Sequence, residues 1–181
     1  PRTGLWWSER DTGRVGRVVP GAGTTTAIDG TPTVDTAGQG GLLDVTWDPD
    51  GEWIYLTYVV ANETGETTTR LGRGRLAGDG GGNAEGNSDR LIGFEQLYTA
   101  EPFIDDNGHY GSRVAFGPEG YLYMTVGDRQ FKNFGPDHVA QDRTNDLGTT
   151  LRLRPDGSIP SDNPFVDDAE ARDAIYSYGH R

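Results

Sequence analysis

The strongest constraint on the fold is a short turn motif that recurs three times. Each copy places a proline, an acidic residue and a glycine shortly after a short apolar run, at residues 49–51, 118–120 and 155–157. The first two copies also precede runs rich in aromatic and β-branched residues. Such runs on either side of Pro/Gly turns are typical of antiparallel β-hairpins. Because the 181 residues include 28 Gly and 10 Pro, the chain favours many turns over long helices and predicts an all-β fold. The apolar runs are residues 45–47, 53–60, 114–116, 121–126 and 151–153.

Repetition of this motif favours a β-propeller, in which four-stranded units of about 40 to 50 residues repeat around an axis. The copies are unevenly spaced, so insertions must lie between them. One is residues 78–87, a glycine-rich segment that we expect to be a mobile surface loop. A chain of this length holds about three to four blades. Fewer than four blades leave sheet edges uncovered, so the sequence predicts part of a propeller.

Composition excludes several classes of function. The net charge is −12, and Lys132 is the only lysine among 16 basic residues, so the surface should repel nucleic acid and anionic membranes. No apolar run approaches the roughly 18 residues of a membrane span. The absence of cysteine excludes disulfides and thiolate metal ligands. The chain opens at Pro1 without a methionine or a signal segment, which suggests a mature, trimmed or excised piece.

His109 and Asp128 stand on either side of the second turn motif, 19 positions apart. A hairpin closed at 118–120 would bring them together at one end of the sheet. If Asp128 accepts a hydrogen bond from one imidazole nitrogen, the other remains a proton acceptor, as a base acting on a hydroxyl requires. Other interpretations are open: His109 follows the turn sequence 105–108 and could be an exposed loop histidine, and Asp128 could simply begin a turn.

Two further residues are candidate ligand contacts. Gln39 lies in a glycine-rich segment, 38–41, where the backbone can approach a neighbour closely and the amide could bind a hydroxylated ligand. It could equally be a solvated glutamine in a turn. Arg181 ends the sequence Tyr-Ser-Tyr-Gly-His-Arg and could bind a carboxylate or quinone oxygen, or be solvated. The cluster Asp105-Asp106-Asn107 lacks the full calcium-loop spacing and a closing Glu, so it predicts a solvated turn.

Several segments in fixed order resemble the soluble pyrroloquinoline-quinone-dependent glucose and aldose sugar dehydrogenases, the glucose/sorbosone dehydrogenase family. The likeness runs from about Gly4, where residues 5–10 resemble the family's first strand, to the last residue. Because the motifs are several and co-linear, the resemblance is specific. The segments are residues 38–44, 109–129, 140–142 with 147–148 and 151–153, 159–165, and 176–181.

The resemblance implies a six-bladed propeller with pyrroloquinoline quinone and calcium on its top face, of which residues 1–181 would be a partial domain, the N-terminal half. His109 matches the family's catalytic base and Asp128 the acid that orients it. Gln39 matches the amide that contacts the sugar near C1, and Arg181 an arginine that contacts the quinone. The calcium ligands and further cationic cofactor contacts are expected outside this chain.

The activity implied is oxidation of the C1 hydroxyl of an aldose to the lactone, with hydride transfer to the quinone and then to an external electron acceptor. A periplasmic or extracellular location follows from the same resemblance. Gly108 replaces an Asp of glucose-oxidising members, which favours a broader aldose enzyme. Alternatives are a calcium-dependent propeller lactonase and a non-catalytic sugar-binding propeller. Without a complementary segment, the chain is expected to self-associate, bind the quinone weakly and lack activity.

Overall fold

The computed structural model describes residues 4–18, 20–21, 25–77, 90–132 and 135–181. Among them the only helical segment is one short 3-10 turn, Val139–Gln141, so the all-β prediction is confirmed. No helix in the described part of the chain is long and apolar enough to cross a membrane. The strands are β1 Leu5–Glu9, β2 Arg14–Val18, β3 Thr25–Ile28, β4 Leu42–Trp47, β5 Ile54–Ala61, β6 Thr67–Ala77, β7 Arg90–Thr99, β8 Gly111–Phe116, β9 Leu122–Val126, β10 Thr149–Leu153 and β11 Ile175–Tyr178.

The strands form three antiparallel sheets in chain order. The first is β1-β2-β3, the second is β4-β5-β6-β7, and the third is β8 to β11 in the order β11-β10-β9-β8. Each strand therefore pairs with its neighbour in sequence, as in the blades of a propeller. Three sheets agree with the lower end of the predicted three to four blades.

The first two copies of the turn motif form the predicted hairpins, β4–β5 and β8–β9. The third copy also forms a turn, with the Gly157 N–H donating to the Arg154 carbonyl at 2.9 Å. No strand follows it directly, because the segment before β11 contains Pro160 and Pro164, which lack the N–H that a sheet ladder needs. The predicted glycine-rich loop at 78–87 lies outside the described residues.

The middle sheet packs on both sides, which explains why β5 is buried from Ile54 to Val59. Alternate side chains of a strand point to opposite faces. Accordingly Ile54 and Leu56 join the apolar cluster of the first sheet, whereas Tyr55 joins the cluster of the third. The turns at 49–51 and 118–120 lie at one end of the sheets, so the segments that precede β4 and β8 and follow β9 lie at the other.

Candidate active site

The loop before β8 carries His109 in a left-handed backbone conformation, with φ of 46°. Before it, the Gly108 N–H donates to Asp106 Oδ1 at 2.8 Å, which is the turn that the sequence predicts. Backbone pairing continues past the strand ends: the Arg129 N–H donates to the His109 carbonyl at 3.3 Å. A Cβ at Gly127 would lie 2.0 Å from that carbonyl oxygen, so this close approach requires glycine.

His109 and Asp128 are in direct contact. His109 Nδ1 lies 2.8 Å from Asp128 Oδ1, as expected from the hairpin. The aspartate side chain is 1% exposed and the imidazole 29% exposed. Because a carboxylate only accepts hydrogen bonds, Nδ1 carries the proton and Nε2 is left as an acceptor. Among the described residues, no hydrogen bond occupies Nε2.

Asp128 has two further polar neighbours. The Gln130 N–H donates to Oδ1 at 3.2 Å, and His138 Nε2 lies 3.7 Å from Oδ2. His138 Nδ1 accepts from the Ala140 N–H at 3.1 Å, so the neutral ring carries its proton on Nε2. That nitrogen donates to the Phe131 carbonyl at 3.1 Å. A donor-bearing imidazole therefore faces the buried carboxylate.

Gln39 joins the loop before β4 to the loop that carries His109. Its N–H donates to the Asn107 carbonyl at 2.7 Å, and its Oε1 accepts from the His109 N–H at 2.9 Å. A Cβ at Gly38 would lie 2.5 Å from the Asn107 carbonyl oxygen, which confirms the predicted close backbone approach. The Gln39 side chain is exposed, and no hydrogen bond within the described part of the chain occupies its Nε2, which can act as a donor.

Arg181 lines a cavity of about 270 Å³ together with Asp128, His138, Gln141 and His180. The segment that carries it is held against the loop before β10. The Gly179 N–H donates to the Ala140 carbonyl at 2.8 Å, and the His180 N–H donates to the Gly148 carbonyl at 2.9 Å. Asp128 therefore links the His109–Gln39 contacts to the cavity at Arg181.

Sequence reasoning missed three polar residues around this site: Arg129, Gln130 and His138. Arg129 and Gln130 have φ of 52° and 63°, a conformation that non-glycine residues rarely adopt. Arg129 directly follows Asp128 in the sequence, and a charged residue at the end of an apolar strand was the one available signal. Nothing in the spacing of His138 indicates its position beside Asp128.

Comparison with known proteins places this chain in a family. The profile of the Glucose / Sorbosone dehydrogenase family matches residues 3–181. An aldose sugar dehydrogenase of Escherichia coli is 35% identical over 164 residues, which cover 89% of this chain and 41% of that protein. The crystal structure of the soluble E. coli aldose sugar dehydrogenase in its apo form superposes with a TM-score of 0.85 at 32% identity, covering 99% of this chain and 49% of the other.

The PQQ-bound form of the aldose sugar dehydrogenase from Streptomyces coelicolor superposes with a TM-score of 0.77 at 29% identity, covering 98% of this chain and 48% of the other. The chain thus spans less than half the length of each of these relatives. The profile match extends over almost the whole sequence, and the superposed folds are those of sugar dehydrogenases. The chain therefore belongs to the glucose/sorbosone dehydrogenase family.

Proposed function

We propose that residues 1–181 form the N-terminal half of a six-bladed propeller and carry the catalytic base of a quinone-dependent aldose dehydrogenase. The reaction is oxidation of the C1 hydroxyl to the lactone, in a periplasmic or extracellular enzyme that passes electrons to an external acceptor. One observation carries the proposal: His109 Nδ1 is held by a buried carboxylate at 2.8 Å, and Nε2 is left as an acceptor. Family membership and the names of the relatives support it.

In this proposal His109 Nε2 accepts the proton of the anomeric hydroxyl. Asp128 keeps the Nδ1 proton in place, which fixes the tautomer, and stabilises the imidazolium that forms. Because Asp128 is buried, its charge is weakly screened and acts strongly on the adjacent ring. A general base of this kind contributes about 100- to 10,000-fold to the rate.

Gln39 has two roles in the proposal. Its Oε1 holds the backbone of His109, so the loop position of the base depends on this side chain. Its Nε2 can donate to a sugar oxygen near C1. A single amide therefore links substrate position to the position of the base.

The residues around the cavity fit one side of an oxygen-rich anion. Arg181 supplies a guanidinium, and Gln141 and His180 supply further polar groups on the same wall. These are the groups that bind carboxylate and quinone oxygens. The residues that would hold pyrroloquinoline quinone on this side are therefore Arg181 with its neighbours. When bound, the quinone supplies the acceptor for the hydride that leaves C1.

Calcium is part of the proposal through the family likeness. Within the described ranges, no group of three or more His, Cys, Asp or Glu side chains is placed to hold a metal ion. In the acidic turn, Asp106 Oδ1 already accepts from the Gly108 N–H and from Gln130 Nε2. We propose that the calcium ligands come from residues outside this chain. The test therefore adds calcium and the quinone separately.

The test uses the complete protein, reconstituted with pyrroloquinoline quinone and calcium. Aldose-dependent reduction of an artificial electron acceptor should require both additions, and several aldoses, not glucose alone, should serve as substrates. Hydrolysis of a lactone with calcium and no quinone would instead identify a lactonase. Sugar binding without turnover under any of these conditions would identify a binding module.

A further inference from the structure

We infer that Arg129 is a positioning residue that holds the loop of His109 so that the imidazole stays on Asp128. The inference rests on the proposed function, because it assigns Arg129 an effect on the base of that reaction. Arg129 is not itself expected to touch substrate or cofactor.

The guanidinium of Arg129 makes hydrogen bonds in three directions. Nε donates to the Gly108 carbonyl at 2.9 Å, NH1 donates to the Thr67 carbonyl at 2.8 Å, and NH2 donates to Thr67 Oγ1 at 2.8 Å and to the Asp106 carbonyl. The strand β6 is thereby tied to the turn before His109. The planar fork of arginine suits several fixed acceptors at once, which the ammonium of lysine does not.

Arg129 also contacts His109 itself and the residue that follows it. Its guanidinium carbon lies 4.0 Å from the centre of the Tyr110 ring, and its backbone N–H donates to the His109 carbonyl at 3.3 Å. Residues 108, 109 and 110 are therefore all in contact with this one arginine. Displacing it would release the segment that carries the imidazole.

Backbone strain explains why the loop needs such contacts. His109 has φ of 46° and Arg129 φ of 52°. Left-handed conformations of non-glycine residues persist only where the surrounding structure holds them, and they concentrate at functional sites. Because Arg129 bonds to the carbonyl directly before His109, it is placed to maintain this conformation.

The burial of Arg129 favours a role beyond stability. The residue is 2% exposed, and among the described residues it forms no ion pair with a carboxylate. Burial lowers the pKa of the Arg129 guanidinium from its usual range, while Tyr110 and Asp106 act in the opposite direction. A buried charge whose partners are neutral oxygens is costly. If Arg129 only filled space, an apolar side chain at this position would give a more stable fold.

The test compares Arg129→Met and Arg129→Lys with parent protein, in the complete protein. Arg113→Met is the matched control, because it makes the same change at an arginine whose side chain is 78% exposed and pairs with Asp44, away from the loop of His109. One readout is the downfield proton NMR signal of His109 Nδ1–H, assigned by its loss in His109→Ala. The other is kcat and the aldose KM of the reconstituted enzyme.

We expect Arg129→Met to lose the Nδ1–H signal and to lower kcat about 100-fold, the cost of a small misplacement of a reacting group, while the aldose KM changes little. Arg129→Lys should be intermediate, and Arg113→Met should match the parent in both readouts. If Arg129→Met does not fold, the inference is tested with Arg129→Lys, by its Nδ1–H signal and its kcat. Parental kcat together with an intact Nδ1–H signal in the folded Arg129 variant would overturn the inference.

His109→Ala separates the two proposals. If it is inactive while the folded Arg129 variant retains parental kcat and signal, the base assignment stands and the positioning inference is wrong. If His109→Ala itself turns over at the parental rate, the proposed function fails.

Discussion

At the scale of single residues, the site depends on how Asp128 is surrounded. Its two oxygens face His109 on one side and His138 on the other, and the Gln130 N–H supplies a third polar contact. A carboxylate that is 1% exposed is stable as an anion only with such partners. The contact with His109 also fixes the tautomer of that ring. Removing the negative charge of Asp128 would therefore change which nitrogen of His109 carries the proton.

This predicts a specific effect of Asp128→Asn. An amide can present its NH₂ group to Nδ1, which favours the tautomer with the proton on Nε2 and removes the acceptor. We expect kcat of the reconstituted complete protein to fall about 100-fold or more, with cofactor binding close to that of the parent. The measurement is the pH profile of kcat.

Asp142→Asn is the matched control for this prediction. Asp142 lies in the neighbouring loop, is exposed, and bonds to the backbone and hydroxyl of Thr144. Its variant should keep the parental profile. If the pH profile of kcat of Asp128→Asn matches that of the parent in both position and height, Asp128 does not act on His109.

The sequence could predict the His109–Asp128 contact and could not predict the residues around it. The contact follows from one hairpin, because strands joined by a short turn must meet again at their open ends. Arg129 and His138 reach the site through backbone conformation and through contacts between sheets. Neither leaves a period or a spacing in the sequence.

At the scale of strands, one irregularity ties the second sheet to the third. The pairing of β8 with β9 shifts register between Gly111 and Val114. At this irregularity the Val114 N–H of the edge strand β8 donates to Asp44 Oδ2 of β4 at 2.8 Å. Asp44 therefore supplies an acceptor to this strand from the neighbouring sheet.

We predict that Asp44→Ala destabilises the protein by about 1 to 3 kcal/mol, because it leaves a buried N–H without an acceptor. Loss of the ion pair between Asp44 and Arg113 should add little to this destabilisation, since the Arg113 side chain is 78% exposed. Chemical denaturation of the complete protein measures the change. Asp50→Ala, an exposed change in the turn at 49–51, should alter stability by less than about 0.5 kcal/mol; equal effects of the two changes would contradict the account.

Strand prediction from the residues succeeded where apolar runs meet Pro/Gly turns, and the family resemblance predicted the first strand at residues 5–10, where β1 lies. The hairpins β4–β5 and β8–β9 follow from that pattern. β6 was missed because residues 67–77 are mostly threonine, arginine and glycine and form no apolar run. Gly72 is required there because a Cβ would lie 2.5 Å from the Phe94 ring, a tertiary contact that no local pattern shows.

At the scale of the whole molecule, the sheets are joined by a buried charge network as well as by apolar packing. Asp146 is fully buried and accepts from Arg172 Nε at 2.7 Å and from the Tyr98 hydroxyl at 3.1 and 3.2 Å. Tyr98 belongs to β7, whereas Asp146 and Arg172 precede strands of the third sheet. Burial raises the pKa of Asp146 above its ordinary value, and Arg172 opposes that rise.

We predict that Arg172→Met costs about 3 kcal/mol at pH 7, the lower end for breaking a buried pair, because the Arg172 side chain is 33% exposed. Without Arg172 the pKa of Asp146 should rise further. The folded variant then binds more protons than the unfolded chain, so the loss should shrink as the pH falls through the raised pKa towards about 4. Denaturation of parent and variant between pH 7 and pH 4 measures this.

Arg143→Met is the control for the pH dependence. Arg143 pairs with Asp168 at 2.6 Å, and both side chains are about a third exposed. Its loss should cost less than about 1 kcal/mol. A destabilisation by Arg172→Met that is the same at both ends of the pH range would contradict the role given to Asp146.

The central claim, that His109 is the base, is tested most directly by His109→Ala in the reconstituted complete protein. The account predicts that kcat falls about 100- to 10,000-fold, with thermal unfolding and quinone binding close to those of the parent. Asn107→Ala, a change on the same loop that keeps the backbone contact to Gln39, should retain the parental rate. Turnover of His109→Ala at the parental rate would contradict the account.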